Sequence, residues 1–292
     1  MATVVGIDTS LSLTADVQPG LSFLGDAIAW LGGMPAVAIR PMGTGAPQGK
    51  KGATPVTAVE INGLRVQGLA VGVYFNDSPL NSGAPATAAQ GAADARTAQA
   101  QAAAIGVDAG TYLWFDLESN IAANPANTVA AVAAYLTALA AANRPSVYGG
   151  SGGVYGIMAP GSLLGDALVQ ALASDSSGDV ARLVLWPAQW TVGAGGFALS
   201  SAPAWAPNVP TPLLGMVRMI QVSGNDFNDI CDLNLVDDTL LLPGGGLMLP
   251  ASQPAPIATA PPAPAAPNLP AAQGALAQAA TAIAAAQAAL GS

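Results

Sequence analysis

The 292-residue chain has no histidine and a single cysteine, Cys231. Without imidazole there is no Ser-His-Asp or Cys-His nucleophile, no His-ligated zinc hydrolase motif and no histidine proton shuttle. One cysteine forms no internal disulfide and no Cys-cluster zinc site. No metal and no cofactor is therefore expected, and proton chemistry falls to carboxylates, hydroxyls, amides and tyrosines. Charge is also scarce. Charged side chains make up 9% of the chain, against about 25% in an average protein. Acids number 17 and bases 8, for a formal net charge of -9. A nucleic-acid partner would need clustered cations, and the only adjacent basic pair is Lys50-Lys51. No run reaches the roughly 18 apolar residues of a membrane span. A secretory leader of basic residues followed by an apolar core is also missing. The chain is thus expected to be cytoplasmic at synthesis.

What is present divides by composition. Residues 1–248 are mixed and expected to form one globular domain. Residues 249–270 carry Pro250, Pro254, Pro256, Pro261, Pro262, Pro264, Pro267 and Pro270 and read as a stiff linker. Residues 271–292 are Ala/Gln-rich and free of proline, which predicts a C-terminal helix. Leu269, Leu276, Ile283 and Leu290 recur every seven residues, a spacing suited to self-association or to docking on a larger assembly. The same spacing fits a plain Ala-rich tail equally well.

Within residues 1–248, short apolar runs alternate with helical patterns. Strands are expected at Val4–Asp8, Ala36–Arg40, Leu69–Phe75, Tyr112–Glu118, Ser146–Gly149, Leu183–Ala188, Met216–Val222 and Asp232–Leu235. Helices are expected at Leu21–Leu31, Thr57–Leu64, Ala86–Ile105, Asn127–Asn143 and Ser162–Ala173. Thr57 and Glu60 have capping-box spacing, and Asn127 is placed to cap the helix that Pro145 stops. This alternation predicts an irregular (β/α)8 TIM-type barrel, with a doubly wound open sheet as the alternative. The helices between Gly193 and Leu214 are weakly signalled. The run Gly149 to Gly153 lacks the Lys-Ser/Thr of a phosphate loop and reads as a flexible loop at the barrel rim. The acids from Asp226 to Asp238 do not match an EF-hand.

The acids are placed selectively. Of the two glutamates, Glu60 reads as a helix cap, while Glu118 ends an apolar strand. Side chains alternate along a strand, so Asp116 and Glu118 share one face. Such a pair is costly inside a barrel but tolerable at its mouth. There the two can divide the roles of proton donor and ionised partner. Asp8 closes the first strand and Asp232 lies near the last. First and last strands meet in a closed barrel, so all four acids are expected at the catalytic, C-terminal mouth.

The order Asp8-x-Ser10, Phe115-Asp116-Leu117-Glu118, Trp186-Pro187-Ala188-Gln189-Trp190, Gln221 and Asp232-Leu233-Asn234 resembles the glycoside hydrolase family 25 lysozymes. It is similar above all to their sister group of glycoside-hydrolase-like proteins, over residues 4–238. The resemblance implies a barrel with an acidic groove and peptidoglycan as partner, cut at the β-1,4 bond after N-acetylmuramic acid. It implies that Glu118 protonates the leaving oxygen. Asp116 would position the N-acetyl group or stabilise anomeric charge, and Asp8 and Asp232 would orient the pair. Tyr74, Tyr148 and Trp186 would line the groove, and Gln221 would hydrogen-bond sugar. The chain departs from the lysozymes at Val222, where they usually carry an aromatic residue. Two functions follow as expectations. One is a muramidase-type hydrolase, phage-encoded and virion-associated or released on lysis. The other is a non-catalytic glycan-binding or structural assembly component.

Overall fold

The computed structural model describes residues 2–9, 16–18, 21–43, 54–192, 198–225 and 231–251. The linker beyond Ala251 and the C-terminal helix lie outside the described residues, as does Ser10. In chain order the elements are β1 (Thr3–Asp8), β2 (Asp16–Gln18), β3 (Leu21–Ser22), α1 (Phe23–Leu31), β4 (Val37–Pro41), α2 (Ala58–Val66), β5 (Ala70–Phe75) and α3 (Ala88–Ala104). Then follow β6 (Leu113–Asp116), α4 (Val129–Asn143), β7 (Gly153–Gly156), α5 (Leu163–Ser174), β8 (Val184–Pro187), β9 (Met219–Asn225) and β10 (Cys231–Asp237).

Eight strands form one sheet in the order β8-β7-β6-β5-β4-β1-β10-β9. Parallel bridges Leu185–Val217 and Ala188–Gln221 join its two edge strands. The sheet is thereby nearly closed, which decides for the barrel over the open sheet. Its irregularity lies in β10, which runs antiparallel to both β1 and β9. Between β8 and β9 the described chain makes only short 3-10 turns, at Leu199–Ser201 and Thr211–Met216.

Alternation along each strand separates two cores. Ile7, Ala38, Val73, Phe75, Phe115, Val154 and Leu185 face the helices. Val37, Ile39, Tyr74, Trp114, Tyr155, Trp186, Met219 and Val236 fill the lumen. Leu240 and Leu247 pack in that inner core too, and Met248 bridges Val71 at the start of β5. They plug the end opposite the strand C-termini.

The structure corrects several expectations. The strand expected at Ser146–Gly149 is a series of bends, and β7 lies at Gly153–Gly156. The glycine-rich run leads into β7 at the plugged end, so it is not a rim loop. It is tightly packed: a Cβ on Gly153 would lie 2.2 Å from the Trp114 ring, and Gly152 holds φ +92. The α4 cap is Thr128, whose hydroxyl accepts from the Ala131 amide. Asn127 instead ties Ala84, Ala86 and Ile121 together. Thr57 does cap α2. The Glu60 carboxylate, however, reaches Arg40 Nε at 2.9 Å, forming a buried ion pair between α2 and β4.

Candidate active site

Strand register assembles the mouth. Asp8 and Asp232 are direct partners across the antiparallel β1–β10 pair. Because β10 is reversed, its first residues rather than its last meet the C-terminal end of β1. Asp8 shares a face with Val4, and Asp232 with Val236, and both valines pack in or against the lumen core. Asp116 is the last residue of β6, in phase with lumenal Trp114 and in register with Tyr155. Tyr155 pairs in turn with Trp186, and Gln221 pairs with Asn234.

Two hydrogen-bond relays fix the acids of β1 and β10. Trp186 Nε1 donates to Asn234 Oδ1 at 2.7 Å, and Asn234 Nδ2 donates to Asp8 Oδ1 at 2.6 Å. Gln221 Oε1 accepts from the Tyr155 hydroxyl at 2.7 Å and from Trp190 Nε1 at 2.9 Å. Gln221 Nε2 donates to Asp232 Oδ2 at 2.8 Å. The opposite pair of acids is held through the backbone. Asn81 Nδ2 donates to the Asp116 carbonyl at 2.7 Å, and Asn81 Oδ1 accepts from the Glu118 amide at 3.2 Å. One buried amide thus spans the Asp-Leu-Glu segment. Its 3-10 turn is anchored by Ser78, which donates to the buried Asp94 carboxylate of α3 at 2.6 Å.

The charges of these acids bear on the same buried phenols. Burial pushes the Tyr155 phenol well above its usual pKa. The negative charges of Glu118, Asp116, Asp8 and Asp232 push it the same way. Tyr74 is raised by burial first, then by Asp8 and Asp116, with Arg40 opposing. Among the described residues, no group of three Asp, Glu, Cys or His is disposed to hold a metal ion.

Exposure separates Asp116 from Glu118. Asp116 is buried, 2% exposed, in the floor. Glu118 is half-buried and sits just beyond β6 with extended backbone. It borders an apolar groove lined by Leu117, Ile121, Ala122, Ile157, Leu163 and Leu164.

Of the expected substrate contacts, Gln221 is at the mouth, but as a buried link between Tyr155 and Asp232. Tyr74 and Trp186 are lumenal. Trp186 packs on Tyr155 with ring centroids 4.5 Å apart, and on Tyr74 and Trp114 edge-on at 6.4 and 5.8 Å. These rings form the floor and offer no open face for a sugar. Tyr148 is corrected outright. It packs in the helix-side core next to the Gly110–Thr111 approach to β6, at the plugged end. Tyr155 holds the position at the mouth instead. Asn81, Asn234 and Trp190 are further residues of the site.

A family model described as "Rv2525c-like, glycoside hydrolase-like domain" matches residues 30–234. The chain belongs to this family. No protein with a curated description matches the sequence. Two solved structures share the fold. A B. stearothermophilus protein is 20% identical, with TM-score 0.63, covering 84% of this chain and 99% of its own. The Mycobacterium tuberculosis Tat-secreted protein Rv2525c, in complex with L-tartrate, is 14% identical, with TM-score 0.53 and coverage of 85% and 100%. The modular autolysin LytC of Streptococcus pneumoniae is 12% identical, with TM-score 0.45 and coverage of 80% and 46%. The family matched is thus the glycoside-hydrolase-like sister group that the acid motifs resemble.

Proposed function

We propose that the chain is a glycoside hydrolase that cleaves β-1,4 bonds of peptidoglycan by carboxylate acid catalysis. The observation that carries this reading is the single Asn81 amide that fixes the backbone of Asp116 and Glu118 at the open end of a glycoside-hydrolase-like barrel. Most glycosidase families work with a pair of carboxylates, and a chain without histidine has no imidazole for proton transfer.

In this reading Glu118, half-buried beside the groove, is the acid that reaches the glycosidic oxygen and protonates it as the C–O bond breaks. Asp116, on the floor, stabilises positive charge developing at the anomeric carbon or orients the substrate's acetamido group. Asp8 and Asp232, held by Asn234 and Gln221, shape the field around that pair. The apolar groove next to Glu118 suits the methyl-bearing faces of N-acetylated sugars.

The test is release of reducing ends from purified peptidoglycan by the wild type and by Glu118→Gln. Release by the wild type, with loss of at least a hundredfold in a folded Glu118→Gln variant, supports the assignment. Equal release by both, or none by either, overturns it.

A further inference from the structure

Trp190 stands apart from the other aromatic side chains among the described residues. It is 55% exposed, whereas Trp114 and Trp186 are fully enclosed. It is also the only non-glycine among the described residues with positive φ, at +38°. A bulky side chain adopts that conformation at an energetic cost, and such strain persists only where the surroundings enforce it. Here they do. The Gln189 amide donates to the Gln221 carbonyl at 3.1 Å, and the Val192 amide to the Val222 carbonyl at 2.9 Å, so β9 grips the chain on both sides of Trp190. The Gln189 side chain adds bonds to the Ala206 carbonyl and the Asn208 amide.

Packing among the described residues gives no reason for this arrangement. A strained tryptophan that served the core would be buried, and this ring is mostly in water. Among the described residues its side-chain hydrogen bond runs to the site: indole Nε1 donates to Gln221 Oε1, the oxygen that also accepts from Tyr155, while the same amide donates to Asp232. The pyrrole edge is anchored to the relay behind the acids while much of the ring stays open to solvent. The other exposed apolar residues, such as Val59, Val147 and Leu242, have ordinary φ.

We propose that Trp190 is a sugar-stacking platform at the rim of the acidic mouth, taking the apolar face of one pyranose ring of a bound β-linked glycan. The inference rests on the reading of the mouth as a glycan site, but not on hydrolysis. An indole offers a large rigid apolar face that loses little freedom on binding. Anchoring by Gln221 sets its angle relative to the acids, so the platform would fix where along a glycan strand the acids fall.

The test is calorimetric titration of the full chain with chitotetraose, for the wild type and for Trp190→Phe, Trp190→Ala and Trp190→Gly. Stacking predicts that Trp190→Ala weakens binding by about tenfold, while Trp190→Phe, which keeps an apolar ring but loses the bond to Gln221, binds between Trp190→Ala and the wild type. Trp190→Gly should bind as poorly as Trp190→Ala yet melt at a higher temperature than Trp190→Ala, because glycine accommodates the left-handed backbone. Equal affinity of wild type and Trp190→Ala, or no binding of chitotetraose by the wild type, overturns the platform. Trp190-dependent binding without release of reducing ends from peptidoglycan would retain the platform and remove the hydrolase reading. Wall digestion with Trp190-independent binding would do the reverse.

Discussion

Glu60→Gln is the most exacting test of how the fold supports the mouth. Arg40 is 0% exposed and Glu60 4% exposed. The guanidinium donates Nε to Glu60, Nη1 to the Thr9 carbonyl at 2.5 Å and Nη2 to the Thr54 carbonyl at 3.0 Å. The substitution preserves shape but leaves a cation in the helix–sheet layer without its counter-charge. Breaking a buried pair in this way costs about 3–5 kcal/mol. The amide retains one acceptor oxygen, which argues for the lower end, about 3 kcal/mol. For a barrel of this size that corresponds to a fall in melting temperature of about 6–12 °C. Urea unfolding at neutral pH, beside Arg40→Met and the double variant Arg40→Met/Glu60→Gln, completes a double-mutant cycle. The double variant should recover most of the loss, because removing both charges removes the desolvation cost with them. A Glu60→Gln cost below about 1 kcal/mol, or a double variant no better than the sum of its singles, would refute the claim that the pair acts as one unit. Since Arg40 holds the carbonyl next to Asp8, the single variant should also slow peptidoglycan cleavage.

Two further predictions concern the clamp on the acids and the buried tyrosines. Asn81→Ala leaves the Asp116 carbonyl and the Glu118 amide without their clamp. It should cost about 2–4 kcal/mol of stability and lower kcat far more than it raises KM, with Asn81→Asp intermediate because it still accepts from Glu118. An unchanged kcat in folded Asn81→Ala would remove the positioning role. Tyr74, Tyr135 and Tyr155 all have pKa values raised well above 10, first by burial and then by neighbouring carboxylates. Above about pH 10 the unfolded chain releases phenolic protons that the folded chain keeps, so the unfolded state binds fewer protons and stability falls as pH rises. Urea midpoints should be level below pH 10 on this account and decline above it. The phenolate absorbance of these residues should rise only with unfolding. Ionisation of all tyrosines in the folded state would contradict their enclosure.

Most of the barrel was legible because seven of its strands are apolar runs punctuated by turn residues. The failure at β7 has a physical origin. Ser146-Val147-Tyr148-Gly149 has strand-like residues, while the true strand, Gly153-Val154-Tyr155-Gly156, is short and begins and ends in glycine, which propensity disfavours. That slip exchanged Tyr148 for Tyr155. The direction of β10 was also hidden, since period-two alternation is the same for parallel and antiparallel strands. Asp8, Asp116, Glu118 and Asp232 were conspicuous in the sequence because acids are so rare in this chain that their positions at strand ends stand out. Asn81 gave no signal. It lies in a Ser-Pro-Leu-Asn turn 35 residues before Asp116, and only tertiary folding brings the two together. Glu60 met the capping pattern and concealed its partnership with an arginine 20 residues away.

The site is a property of register more than of any one acid. Asp8 with Asp232, Asp116 with Tyr155, Tyr155 with Trp186, Ala188 with Gln221, and Gln221 with Asn234 are strand partners around much of the barrel. Each lumenal residue is flanked by an apolar one facing the helices, as Asp116 is by Phe115 and Asn234 by Leu233 and Leu235. A slip of one residue in any strand would put a polar group into the helix layer and an apolar one into the mouth. The burial that stabilises the mantle therefore enforces the arrangement of the acids. The β-bulge between Leu233 and Asn234 shifts the β9 register, so that Asn234 opposes Gln221 while Leu233 opposes Ser223. That offset places the two amides side by side, one serving Asp8 and the other Asp232. The acids of the first and last strands are thus oriented from a single irregularity in the sheet, at the point where the barrel departs from parallel order.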